Sequence, residues 1–243
     1  MKKRIAIITI LVLMLMVGGA VIYILRPSQE ASVPIEAVPL DANSTQTSGD
    51  VNNKIDAQLL ADNPQGVTIF SIDQENTVVS FTLDEILREV PTTVVGKTNQ
   101  VAGEIAVNPV NPENSHVEKI LVNARTLITD NNFRYRAINN EILKTGEFEF
   151  IIFSPKVISG IPDNPQLGEE MIIQIVSDLT IRDITQEITF DGVITVMSET
   201  NMTGYASVEI ARADFNIVIP QVPGVANVDE EVLLEIEFSA TAK

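Results

Sequence analysis

Residues 176–196 read VSDLTIRDITQEITFDGVITV. Leu179 and Ile181 stand two apart before a polar pair, Arg182 and Asp183. Beyond it Ile184, Ile188 and Phe190 share one parity, with Thr185, Glu187, Thr189 and Asp191 on the other. A period of two with one wet side marks a half-buried strand, and two such runs around a polar pivot predict an antiparallel hairpin. The fold follows from what its apolar face must cover.

The same alternation recurs along the chain. VVSFTL (78–83) puts Val79, Phe81 and Leu83 on one side, and VAGEIAV (101–107) puts Ile105 with Val101, Gly103 and Val107, opposite Glu104. ILVNART (120–126) aligns Ile120, Val122 and Ala124. FEFII (148–152) aligns Phe148, Phe150 and Ile152 against Glu149, and MIIQI (171–175) aligns Met171, Ile173 and Ile175. ASVEI (206–210) sets Ala206, Val208 and Ile210 against Ser207 and Glu209. The last run sets Val232, Leu234, Ile236 and Phe238 against Glu231, Glu235 and Glu237. Eight to ten one-sided strands in one chain must close into a barrel or stack as a sandwich to bury their oily faces. Short helices are predicted at LDEILREV (83–90) and NNEIL (139–143).

The chain has 243 residues and a formal charge of -17. Beyond residue 26, twelve basic residues face 33 acids, a balance of -21 that should repel nucleic acid and anionic lipid surfaces. With no cysteine, the chain has no disulfide, thiolate metal site or cysteine nucleophile. Residues 2–4 are Lys-Lys-Arg, and Ile5–Leu25 then carries no charge over 21 residues. At 1.5 Å per residue that run spans about 30 Å, one bilayer core. It exceeds the apolar stretch of a cleaved signal peptide, and Ala20-Val21-Ile22 is a poor cleavage site. Residues 1–26 are therefore expected to be a single transmembrane anchor. The basic end faces the cytoplasm and the remainder lies outside it. Residues 27–66 have no aromatic side chain and are rich in Pro, Ser, Thr, Asn, Asp and Glu, so they are expected to form a flexible tether. Residues 67–243 form the folded domain.

Four stretches of that domain together resemble the YceI-like family of polyisoprenoid-binding, lipocalin-like domains. They are VAGEIAV, ARTLITDNNFRYRAINNEIL (124–143), LTIRDITQEITF (179–190), and ARADFNIVIP (211–220) followed by DEEVLLEIEFSA (229–240). Each motif is short, and their order and spacing carry the match. The resemblance implies an all-β, antiparallel up-and-down barrel of about eight strands with short helices, enclosing an apolar tunnel for an isoprenoid chain such as a polyprenol or quinone tail. Asp183 and Asn216 stand where the family pattern has glycine, and both residue types tolerate a positive φ. Tyr135 and Ala137 stand where it often has Asp and His after Arg134, which alters any headgroup contact made there.

These readings assign wall positions to Phe81, Leu83, Ile105, Phe148, Phe150 and Ile173, and to Ile175, Ile188, Phe190, Phe215, Leu234 and Ile236. Arg134, Arg182 and Arg212 are headgroup candidates, each weighed against a structural ion pair; Asp178 shares the parity of Arg182, which allows a surface pair between them. His116 lies in the polar stretch PENSHVEK and is read as inert. The acids of VDEEV (228–232) lack the spacing of a calcium loop. There is no nucleophile elbow, P-loop, dinucleotide fingerprint or HEXXH motif, so neither a catalytic residue nor a metal ligand is assigned. The expected function is non-catalytic binding of an isoprenoid lipid, with no cofactor unless a bound quinone or polyprenol counts as one. The alternative is a barrel filled by its own side chains that serves protein interaction or a stress response. A homodimer through the last strand, where Leu233 interrupts the acids, is a further candidate arrangement.

Overall fold

The computed structural model describes residues 26–27, 29–32, 35–36, 67–108, 114–162, 164–221 and 224–243. The predicted bilayer span at 5–25 lies outside the described residues. Among the described residues, no helix is long and apolar enough to cross a membrane.

The domain is one antiparallel sheet. Its strands are β1 (Thr68–Ile72), β2 (Val78–Leu87), β3 (Val90–Thr98), β4 (Val101–Ala102), β5 (Glu104–Val107), β6 (His116–Val117), β7 (Ile120–Asn123), β8 (Phe150–Ser159), β9 (Glu170–Ile181), β10 (Ile184–Val196), β11 (Asn201–Ala211), β12 (Val225–Ala226) and β13 (Glu231–Ala242). Several are fragments of longer runs. A 3-10 turn at Gln74–Asn76 separates β1 from β2, and only short breaks separate β3, β4 and β5. Eight runs result, and each pairs with the next. The last run, β13, returns to the first, pairing with both β1 and β2. The curled sheet thus meets its own first strand, in a lipocalin-like form.

The opening hairpin is β9–β10, in register from Ile181↔Ile184 to Glu170↔Thr195. Met171, Ile173, Leu179, Ile181 and Phe190 are buried on its inner face. The left-handed residue of its turn is Arg182 (φ 60°), not Asp183, the pattern of a type II′ hairpin. Asn216 does take the left-handed conformation (φ 50°).

The helix expected at 83–90 is absent. The alternation of Val79, Phe81 and Leu83 continues through Glu85 and Leu87, and Arg88 and Glu89 then turn the chain with positive φ at both positions. Pairing to β3 and β12 overrides the local helix propensity. Helical structure does occupy the β7–β8 connection, as α1 (Asn132–Ala137) running into a π-type turn at Ile138–Ile142. Asn131 caps α1, its Oδ1 accepting from the N–H groups of Phe133 and Arg134. This connection, the β2–β3 turn, the β9–β10 turn and the segment after β11 all lie at one end of the barrel, here termed the helical end.

Glu104, expected on the wet face, is buried and takes its ion pair from Lys243. Asp178 pairs not with Arg182 but with Lys156 at 2.6 Å, and the same ammonium reaches Glu187 at 2.9 Å. Lys156 sits at a bulge in β8, where the register shifts between Pro155 and Val157.

Candidate functional site

The interior is not packed solid, against the filled-barrel alternative. Two cavities lie end to end inside the sheet, of about 710 Å³ and about 190 Å³. Val79, Ser80, Val122, Ile151, Ile181 and Leu234 border both. The larger reaches the helical end, where exposed Phe133, Arg88 and Gln221 stand at its mouth. The smaller continues toward the opposite end, past Phe190, Ile173 and Ile236 to Val107 and His116. The edge-to-face pair of Phe153 and Phe190, with ring centroids 5.1 Å apart, stiffens the wall of the smaller one. Where Phe81 crosses the sheet it lies over Gly96, and a Cβ there would fall 2.1 Å from the ring.

The predicted wall positions divide into two groups. Phe81, Leu83 and Leu234 border the larger cavity; Ile105, Ile173, Ile175, Phe190, Leu234 and Ile236 border the smaller. Four others lie elsewhere. Phe215 is fully buried in the 3-10 turn Arg212–Phe215 and packs the core, and Ile188 packs against the same cluster. Phe148 precedes β8, and Phe150 lies off both cavities. In β8 the inward parity belongs to Ile151 and Phe153. Glu149, which set the expected polar side, shares that inward parity because the fold supplies it with an ion pair and hydrogen-bond donors.

The sequence matches the YceI-like domain over residues 70–240. This chain belongs to the YceI-like family. A polyisoprenoid binding domain from Saccharophagus degradans implicated in plant cell wall breakdown superposes with a TM-score of 0.58 at 12% identity, covering 72% of this chain and 98% of the other. BcnA of Burkholderia cenocepacia superposes with a TM-score of 0.55 at 16% identity, covering 70% and 99%. At such identities the likeness establishes the fold alone. No protein of curated function matches the sequence.

Polar groups in this YceI-like interior are few and sit near its ends. In the larger cavity Arg134 pairs with Glu85 at 2.8 Å and also with Asp130. The Arg134 and Glu85 side chains are only 14% and 8% exposed. Arg212 borders the same cavity; its guanidinium pairs with Glu230 at 2.9 Å and donates to the carbonyls of Asp229 and Ile217. Arg182 is not on a cavity wall. It donates to the carbonyl of Ile142, where the helical segment ends. At the departures from the family pattern, Ala137 borders the larger cavity and the Tyr135 hydroxyl donates to the Arg125 carbonyl. His116, read as an inert loop residue, lies on β6 at the far end of the smaller cavity, and its Nε2 is buried with no hydrogen-bond partner among the described residues. The sequence around it offers no alternation that could have found it. Among the described residues, no cluster of His, Asp and Glu could hold a metal ion.

A second polar centre lies beside the helical connection. Glu149 accepts from the Ser32 amide and hydroxyl, both at 2.6 Å, and from Asn123 Nδ2 at 2.9 Å. It also pairs with Arg125 at 2.8 Å. Burial works against its charge, but these donors and the guanidinium outweigh that and hold the carboxyl below its usual range. Glu149→Gln is expected to cost about 1.5–3 kcal/mol of stability at neutral pH, read by urea unfolding. Because the folded carboxyl ionises more readily than the unfolded one, the contribution is intact above the ordinary value of 4.5 and fades as pH falls below it. Wild type and variant should converge there.

Ser32 belongs to the stretch expected to be a free tether. That expectation does not hold for its first residues. Asn140 Nδ2 donates to the Arg26 carbonyl at 2.8 Å, Arg125 Nη1 to the Glu30 carbonyl at 3.2 Å, and Gln74 Nε2 to the Ile35 carbonyl at 3.1 Å. Ile35 is itself buried.

Proposed function

We propose that this protein is a non-catalytic carrier that holds one long isoprenoid-type chain, a polyprenol or the tail of a quinone, inside its barrel. The observation that carries this reading is the pair of end-to-end apolar cavities with polar groups near their ends. The larger falls within the range of about 300–1,000 Å³ usual for small-molecule sites. A hydrocarbon chain needs no polar partner along its length, and each buried methylene contributes about 0.8 kcal/mol. Arg134 or Arg212 at the helical end, or His116 at the other, would meet whatever polar head the chain bears. The anchor reading of residues 1–26 places the barrel outside the cytoplasm, beside the membrane that supplies so insoluble a ligand.

The test is to purify residues 26–243 from the native host without detergent and analyse the lipid extract by mass spectrometry. This span keeps the docked segment and omits the uncharged run. About one isoprenoid chain per protein is the expected result. An extract that stays empty after incubation with polyprenols and quinones would sink the reading.

A further inference from the structure

We infer that the barrel is seated directly on the bilayer, helical end down, with the mouth of the larger cavity turned toward the lipid. This rests on the anchor reading given above and adds an orientation to it. A 40-residue tether, fully extended, would let the domain stand as far as roughly 130–140 Å from the membrane. The docked segment leaves no such freedom. Arg26 directly follows the uncharged run 5–25, and its carbonyl is bound by Asn140 in the helical segment. Glu30 and Ser32 are then held by Arg125 and Glu149 beside the same segment. No residue lies between the last of the run and the first one docked on the barrel, so the helical end must lie at the membrane surface.

Two properties of that end fit a bilayer. The first is charge. Residues 125–144 carry Arg125, Arg134, Arg136 and Lys144 against Asp130 and Glu141 alone. The rest of the chain beyond residue 26 holds eight basic residues against 31 acids. The strong negative charge that repels lipid headgroups is thus relieved over the helical connection, while the β2–β3 turn and the segment after β11 at the same end stay acidic. The second is exposed apolar surface. Phe133 on α1, Val218 after the 3-10 turn and Val90 beside the β2–β3 turn are 66%, 77% and 60% exposed, on three chain segments at this end. Side chains so placed enter an interface at low cost. A chain leaving the bilayer would pass Phe133 into the larger cavity without crossing water.

The absence of cysteine makes a clean test available. Val218→Cys at the helical end and Met197→Cys at the opposite end are each introduced into the full chain and labelled with a fluorophore. The protein is reconstituted into phosphatidylcholine vesicles in which some lipids carry a spin label at the headgroup. Quenching is expected to be several-fold stronger at position 218 than at 197, and Asn140→Ala combined with Ser32→Ala should narrow the difference. Equal quenching at both positions, or stronger quenching at 197, overturns the seat. So does efficient cross-linking of Val218→Cys chains to one another, which would assign this end to a second copy. Failure to float with the vesicles overturns the anchor and the seat together. The isoprenoid content of residues 26–243 is measured separately, so loss of the seat with lipid retained leaves the carrier reading standing.

Discussion

Arg134→Met is expected to lower the stability of the domain by about 3–5 kcal/mol near neutral pH, although it removes no part of the apolar core. The guanidinium is the ion-pair partner of Glu85, whose side chain is only 8% exposed and points into the barrel from β2. Removing it strands a carboxylate in an apolar cavity, and an unpaired buried charge costs far more than a pair contributes. One further measurement identifies the cause. The double variant Glu85→Leu with Arg134→Met should recover most of the loss, since an apolar pair of similar volume replaces buried ions at little cost. Urea unfolding at neutral pH reads both. A single variant within about 1 kcal/mol of wild type would mean that water reaches the pair freely.

Ile151→Trp is expected to abolish copurification of the isoprenoid chain while leaving the barrel folded. Ile151 borders both cavities, so a larger side chain there closes the passage between them. The existing space absorbs much of the added volume, which keeps the overpacking cost near the lower end of about 1–3 kcal/mol. The neighbouring Phe150→Trp provides the matched comparison: one residue away on β8, it lies on neither cavity wall and should carry lipid normally. Mass spectrometry of the two extracts gives the answer. Equal lipid in both variants would place the ligand outside this interior.

The contrast between positions 150 and 151 also shows what the sequence could reveal. The β9–β10 hairpin was legible because its outer face carries Thr, Glu and Asp at every second position, so parity had only one reading. The start of β8 is apolar on both parities, and its one polar marker, Glu149, misled. That carboxylate is bound by Arg125, Asn123 and Ser32, partners 24, 26 and 117 residues away that no local pattern can reveal. Glu85 illustrates the same limit. It continues the inward parity of Phe81 and Leu83, yet a glutamate there reads as the end of a strand until Arg134 is placed beside it. The docked segment was invisible for a different reason. Asn140, Arg125 and Gln74 bind the backbone carbonyls of Arg26, Glu30 and Ile35, groups that every sequence offers equally. A composition poor in apolar residues correctly signals that a segment has no core of its own, and says nothing about whether a folded neighbour will hold it.

The ladders around the barrel are very unequal. β9 and β10 pair along their whole length, whereas among the described residues the run of β3, β4 and β5 is joined to the β6–β7 run by two residues at Val101–Ala102, two at Ile105–Ala106 and single backbone bonds from Glu118 to Glu104 and from Asn123 to Gln100, with one bridge from Lys97 to Ile128 beyond β7. Local opening follows the line of fewest backbone bonds. The container therefore has a stiff back and a yielding front. On the carrier reading, a branched chain of greater girth would be accommodated by parting the front without disturbing the hairpin that shapes the rest.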